Sequence, residues 1–230
     1  MEHRPVREAG ESMLGDLRKV RDVLIVDDHP LMCEALSMTL SAAFGLARVR
    51  TAASLAAAEA SIRSEGAPDA VVLDLNLPDV QGIEGVISLR ARAGEAPLTV
   101  ISAEVDRKMV GSVIAAGARG YLDKAMPRAE MIAAFKTMWS GEIFVPESCD
   151  LEAQNPDETE VFQSFASLTP QQMKILRLIC QGRPNKIISY ELSISEATVK
   201  THIAAIMSKI KVQNRTQAAL MASRAGLFSR

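Results

Sequence analysis

Apolar residues fall into two rhythms along this chain, and the change of rhythm divides it. Over the first 125 positions short strand-like runs, mostly β-branched, recur: 23–28 (VLIVDD), 46–52 (LARVRTA), 70–76 (AVVLDLN), 98–103 (LTVISA) and 120–124 (GYLDK). Runs apolar at consecutive positions predict strands buried on both faces, as in a parallel sheet covered by helices. Between them the apolar residues take helical spacing. Pro30 stands at a first helical position, Ser54 can cap an Ala-rich helix, 82–92 and 106–116 read as helices, and Pro127 opens a last one that runs to Trp139. Five β/α units predict an α/β domain.

Past residue 163 the β-branched runs stop and helical spacing takes over. Thr169 caps a helix that starts at Pro170 and stops at Gln181-Gly182, and 185–192 is a second short helix. Ser195 caps a third, 196–210, on which Val199, Ile203, Ile206, Met207 and Ile210 share one stripe. Opposite lie Thr201, Ala204, Ala205 and Ser208, edged by Lys200, His202 and Lys209. A ridge of small residues flanked by cations suits entry into a major groove.

Charge sharpens the division. The 230 residues carry a formal net charge of −2, which taken whole argues against a nucleic-acid partner. Counted by segment, 164–230 holds ten Lys/Arg and two acids, a net of +8, and 1–163 holds 16 Lys/Arg and 26 acids, a net of −10. Residues 140–163 contain seven acids, no base and two prolines, and read as a solvated linker. The expected organisation is a polar extension at 1–19, an α/β domain at 20–138, an acidic linker at 139–163 and a basic helical domain at 164–230. No run is long and apolar enough to span a membrane, and the charged N-terminus lacks a signal-peptide core, so a cytoplasmic protein with no membrane partner is expected. Cys33, Cys149 and Cys180 form no CxxC pair and are odd in number, which predicts reduced thiols.

Candidate chemistry gathers at one edge of the sheet. Asp27 and Asp28 end the first strand, Asp74 the third, Ser102 the fourth, and Lys124 follows the fifth. Ligands bind at carboxyl ends of strands in open α/β sheets. Three carboxylates there repel one another unless a cation sits among them, and an oxygen-only set suits Mg2+. A carboxylate between a metal and a lysine can accept a phosphoryl group. Asp69 and Asp79 read as solvated strand ends, and His29 as a polar residue at a helix start. Aspartyl-phosphate phosphatases are the runner-up enzyme class, but the acids of the first strand are adjacent rather than one residue apart.

The set Asp27-Asp28, Asp74-x-Asn76-Leu77-Pro78, Ser102 and Gly117-Ala-x-Gly-Tyr121-Leu-x-Lys124 resembles the receiver domain of two-component response regulators over about 20–138. The resemblance implies a five-stranded parallel sheet of order 2-1-3-4-5. It implies that Asp74 is the phosphoacceptor, that Asp28, Asp74 and the Asn76 backbone carbonyl ligate Mg2+, and that Asp27 acts through water. Ser102 and Tyr121 fall on the family's switch pair, a hydroxyl that moves toward the phosphoryl group and a ring that turns inward. Gln81 stands where that family often has Asp or Asn, a change in a loop with no chemical effect expected.

The motifs Gly182-x-x-Asn185-Lys186, Leu192-x-Ile194-Ser195-x-x-Thr198-Val199-Lys200-x-His202 and Val212-x-Asn214-Arg215-Thr216 are similar to the LuxR/NarL/FixJ class of bacterial transcription regulators. This implies a four-helix helix-turn-helix domain in which Lys200, Thr201 and Ala204 read bases. Lys186, Thr198, His202 and Lys209 become candidates for phosphate contact, and Arg215 and Thr216 start a helix that in this class often serves dimerisation. The class usually has Glu at Gln172, often Glu at Lys174 and Ile187, and often a long polar residue at Ala204.

Together the halves imply a response regulator rather than a metabolic enzyme. A sensor histidine kinase phosphorylates Asp74, and the active homodimer meets promoter DNA and, as a further partner, RNA polymerase. The alternative is a regulator that binds DNA without phosphorylation and uses its receiver for dimerisation or ligand sensing. Part of the −10 charge is expected to mask the +8 surface before activation.

Overall fold

The computed structural model describes residues 20–149 and 156–228. The extension expected at 1–19 lies outside them. The first domain runs β1 (Asp22–Val26), α1 (Pro30–Phe44), β2 (Arg48–Ala52), α2 (Leu55–Glu65), β3 (Ala70–Asp74), β4 (Asn76–Leu77), β5 (Val80–Gln81), α3 (Ile83–Ala93), β6 (Leu98–Ser102), α4 (Arg107–Ala115), β7 (Gly120–Asp123) and α5 (Arg128–Trp139). After it come α6 (Pro156–Ala166), α7 (Pro170–Cys180), α8 (Asn185–Glu191), α9 (Glu196–Lys209) and α10 (Arg215–Arg224).

Five strands form one parallel sheet in the order β2-β1-β3-β6-β7. Leaving out the two-residue strands β4 and β5, this is the 2-1-3-4-5 order. The strands alternate between two cores. Leu24, Val26, Val71 and Leu73 face α2, α3 and α4, while Val23, Ile25, Ala70 and Val72 face α1 and α5. That two-sided burial is why the inner strands β1, β3 and β6 are nearly continuous runs of apolar residues. Gly120 is required at the edge strand, because a Cβ there would lie 2.7 Å from the Phe144 carbonyl oxygen of the returning chain.

Two sequence expectations change. The run 70–76 does not continue as one strand. It stops at Asp74, and Asn76–Leu77 turns through Pro78-Asp79 into an antiparallel hairpin with Val80–Gln81. Asp79 is not a solvated strand end. Its carboxylate accepts from Leu55 N and Ala56 N (2.9 and 2.8 Å) and so caps α2 beside Ser54, which accepts from Ala57 N. Asp69 likewise accepts from the backbone of Arg21 and Asp22, both at 2.9 Å.

The acidic stretch is not a uniform linker either. Helix α6 occupies its second half, with Pro156 as its first residue. Phe162 and Phe165 on this helix are buried and Val161 is half-buried. They join a single apolar cluster that runs without a break from the α2/α3/α4 side of the sheet into α7, α8, α9 and α10. Among the described residues, no helix is long and apolar enough to cross a membrane.

The helical domain is built as its caps dictate. Thr169 and Gln172 form a reciprocal capping box at α7, Ser195 caps α9 and Asn214 caps α10. Val199, Ile203, Ile206 and Ile210 are buried, while Met207 is only half-buried. Ser193 takes a left-handed φ of 53° in the turn between α8 and α9, which lets the chain reverse within a few residues.

Candidate functional site

The acid edge forms because parallel strands end together. β1 delivers Asp27, β3 delivers Asp74 and β6 delivers Ser102, while Lys124 follows β7. The backbone N–H of Lys124 donates to the Ser102 carbonyl at 2.8 Å, which fixes the lysine beside the serine. Asp27 and Asp74 are each only 2% exposed, whereas Asp28 opens to solvent.

Lys124 Nζ donates to Asp74 Oδ2 at 2.8 Å and stands 2.8 Å from Asp27 Oδ2. The second approach is a charge contact without hydrogen-bond alignment, so the buried Oδ2 of Asp27 has no hydrogen-bond donor. Burial acts to lower the Lys124 pKa. The two carboxylates outweigh it and hold the ammonium above the ordinary lysine value. Asp74 Oδ1 accepts from Asn76 N at 3.2 Å.

His29 sits at the N-terminus of α1, with its ring largely exposed. Nδ1 lies 3.0 Å from Asp27 Oδ1 and 2.8 Å from Asp28 Oδ1. Ligand atoms of Asp27, Asp28, His29 and Asp74 lie within 4.8 Å of one another. Three carboxylates therefore face one lysine. That excess of negative charge, with a buried carboxylate oxygen lacking a donor, fits a hard divalent cation such as Mg2+.

The two switch positions meet on one residue that sequence reasoning did not single out. Ser102 Oγ accepts weakly from Glu104 N at 3.4 Å, and the Tyr121 hydroxyl donates to the Glu104 carbonyl at 2.6 Å. Tyr121 is fully buried with its ring turned inward, and burial pushes its phenol pKa up. Both bonds use the backbone of Glu104, so its side-chain identity carried no signal.

The second candidate surface lies on α9. Lys200, Thr201 and Ala204 are exposed, as are Thr198 on the same helix and Lys186 on α8; His202 is half-buried. Thr201 Oγ1 donates back to the Ala197 carbonyl at 3.1 Å. Lys209 stands apart from this face. Its ammonium donates to the Ser167 carbonyl (2.7 Å) and to Gln172 Oε1 (2.9 Å), tying α9 to α7. Arg215 donates to the Arg183 carbonyl at 2.9 Å and to Asn185 Oδ1 at 3.4 Å, inside its own domain. Thr216 is exposed at the start of α10.

In this arrangement acids of residues 1–163 pair with bases of residues 164–230 at two points, Glu84 with Arg177 and Glu160 with Lys211, away from the exposed Lys200, Thr201 and Ala204. The first domain meets the second through α3 and α4 against α6 and α7. Arg177 of α7 pairs with the buried Glu84 of α3, and Arg177 also lies over the Phe228 ring at 5.9 Å to its centre. The α9 face remains open. Apolar burial and the Glu84–Arg177 pair join the domains in this arrangement.

Comparison with known proteins follows the same division. Residues 23–136 match the family model of the response regulator receiver domain, and residues 166–222 match that of bacterial regulatory proteins of the luxR family. The glycerol metabolism activator of Pseudomonas putida is 35% identical over 207 residues, covering 87% of this chain and 94% of that one. The nitrate/nitrite response regulator protein NarL of Escherichia coli (strain K12) is 31% identical over 219 residues, covering 90% and 96%. Among solved structures, the complex of the two-component response regulator RcsB with DNA matches with a TM-score of 0.53. It is 20% identical and covers 89% of this chain and 98% of that one, a likeness of fold.

Proposed function

Because the chain belongs to the two-component response regulators of the LuxR/NarL/FixJ class, with a receiver and a LuxR-type DNA-binding domain, we propose that a sensor histidine kinase phosphorylates it on Asp74 and that the product binds promoter DNA as a homodimer. It is a transcription regulator and not a metabolic enzyme. The single observation that carries the phosphotransfer reading is Lys124 Nζ at 2.8 Å from Asp74 Oδ2, at an edge that still holds an excess of carboxylates.

In this reading an Asp74 oxygen bonds to phosphorus as the phosphorus–nitrogen bond of a phosphohistidine breaks. The electron pair leaves with the imidazole, which takes a proton from water. Asp28, Asp74 and the Asn76 carbonyl would hold Mg2+ directly, with Asp27 through water. Bound there, the cation neutralises the carboxylates and the phosphoryl oxygens. Lys124 exchanges part of its contact with Asp74 for a phosphoryl oxygen. The Ser102 hydroxyl hydrogen-bonds another, which loosens its hold on Glu104 N. Tyr121 holds the other end of the same residue, so a shift at Ser102 reaches the start of α4 through Glu104.

On the DNA side, Lys200, Thr201 and Ala204 read bases, while Lys186, Thr198 and His202 meet phosphates. Lys209 serves this reading as a brace between helices, and Arg215 as a brace for the start of α8. Thr216 remains at the surface that dimerisation would use.

The test of phosphotransfer is incubation with acetyl phosphate and Mg2+. Wild type gains the mass of one phosphoryl group and Asp74→Ala does not; no gain in wild type favours a regulator that works without phosphate. For base reading, Lys200→Ala weakens binding to the native promoter by about 1–3 kcal/mol and random DNA by less. Equal losses on both DNAs make Lys200 a phosphate contact.

A further inference from the structure

A large unexplained space lies between the two domains. A cavity of about 660 Å³ opens among α4, α6 and α10. That size holds a small organic molecule, and domain interfaces are common places for such sites. Met109 comes from the receiver, Phe162 from α6, and Leu220 and Met221 from α10, so its walls are mainly apolar. Leu220, an apolar side chain, is half exposed there.

The polar groups of the lining divide into engaged and free. The Asp106 carboxylate caps α4 through Met109 N, Ser112 Oγ donates to the Lys108 carbonyl, and Gln217 Oε1 accepts from Gln213 N. Lys108 and Arg224 have no ion-pair or hydrogen-bond partner for their charged ends among the described residues. One is on the receiver and the other on α10. A cavity with apolar walls and two free cations of opposite parentage complements an amphipathic anion, an aromatic or aliphatic body carrying one carboxylate or sulfonate.

We propose that this cavity is a binding site for a small amphipathic organic anion that bridges the receiver and the DNA-binding domain. Such a ligand contacts both domains at once and so favours the docked arrangement over a separated one. By linkage, it opposes any step that needs α10 free. The site lies away from the acid edge, and its occupation does not require phosphorylation.

The test uses the unphosphorylated full chain with two fluorescent probes of similar shape, the anionic 1-anilinonaphthalene-8-sulfonate and the neutral N-phenyl-1-naphthylamine. Wild type binds the anionic probe saturably with one probe per chain. The double variant Lys108→Ala/Arg224→Ala loses affinity for the anionic probe by about tenfold or more, while the neutral probe is held within about threefold. Arg177→Glu, outside the cavity, weakens both probes because it separates the walls. Unsaturable binding, several probes per chain, or equal affinity in wild type and double variant overturns the proposal. Probe binding that disappears as the protein dimerises at higher concentration also overturns it, and assigns the face to a second copy of the chain.

Discussion

Two buried ion clusters in this molecule look alike and behave differently. At the acid edge, Lys124 stands between Asp27 and Asp74, with Asp28 nearby. At the domain interface, Arg177 meets Glu84 alone. The first cluster has more negative charge than its lysine can balance, so it keeps a demand for a further cation. The second is balanced one to one and demands nothing except that the domains stay together. A buried pair is expensive to break and modest in net contribution. The difference lies in what replaces a lost partner: an ion from solution at the first site, and water entering between domains at the second.

Breaking the first cluster should have the larger effect. Lys124→Ala leaves two buried carboxylates without a counter-charge and should lower stability by about 3–5 kcal/mol in chelator. Urea unfolding followed by circular dichroism measures this. Addition of Mg2+ should recover much of the loss, because the cation binds only the folded state. A loss that Mg2+ leaves untouched would mean the acid edge has no special affinity for cations.

Arg177→Ala should cost less, about 1 kcal/mol, because the guanidinium is a third exposed and solvent screens the pair. Its effect should be on docking rather than on receiver folding. Small-angle scattering should show a larger radius of gyration, with the receiver's unfolding midpoint unchanged. An unchanged radius would show that the apolar contacts of α6 suffice alone.

The smallest effect is the pH dependence of stability. Burial raises the Glu84 pKa, and pairing with Arg177 only partly opposes it. A carboxyl with a raised pKa in the folded chain binds its proton more tightly there than in the unfolded chain. Its contribution to stability is therefore fully present below the ordinary glutamate value and is lost as pH rises through the raised one. Glu84→Gln should flatten this profile. A profile that keeps its slope in that variant points to another titrating group.

How much of this was legible in the sequence follows from what each feature depends on. The inner strands β1, β3 and β6 were readable because burial on both faces makes their runs nearly continuous in apolar residues, whereas the edge strand β2 carries Arg48, Arg50 and Thr51. The acid edge was readable because parallel strands end side by side, which brings Asp27, Asp74, Ser102 and Lys124 together from positions up to 97 residues apart. The hairpin after Asp74 was hidden, since two-residue strands carry no periodicity. Helix α6 was hidden by its acids, which drew attention from Val161, Phe162 and Phe165. Gln172 is a departure from its class, yet it still accepts from Thr169 N and Lys209 Nζ, and that pairing needed the fold to be seen. The docking of the domains left the least trace, because Glu84 and Arg177 are 93 residues apart and neither belongs to a spaced motif.

Helix α6 has a consequence for recombination between regulators. It touches α3 and α4 on one side, while its Glu160 pairs with Lys211 in the turn after α9. A chimera joined at residue 163, where the charge changes sign, would take Phe162 from one parent and Phe165 from the other. These two rings share one apolar cluster, so mismatched parents would leave a gap or a clash at the domain junction. Joining ahead of Pro156 keeps the helix with the domain it enters. The heritable module is then the DNA-binding domain together with its own docking helix, and exchange of that unit carries the interface along with the DNA specificity.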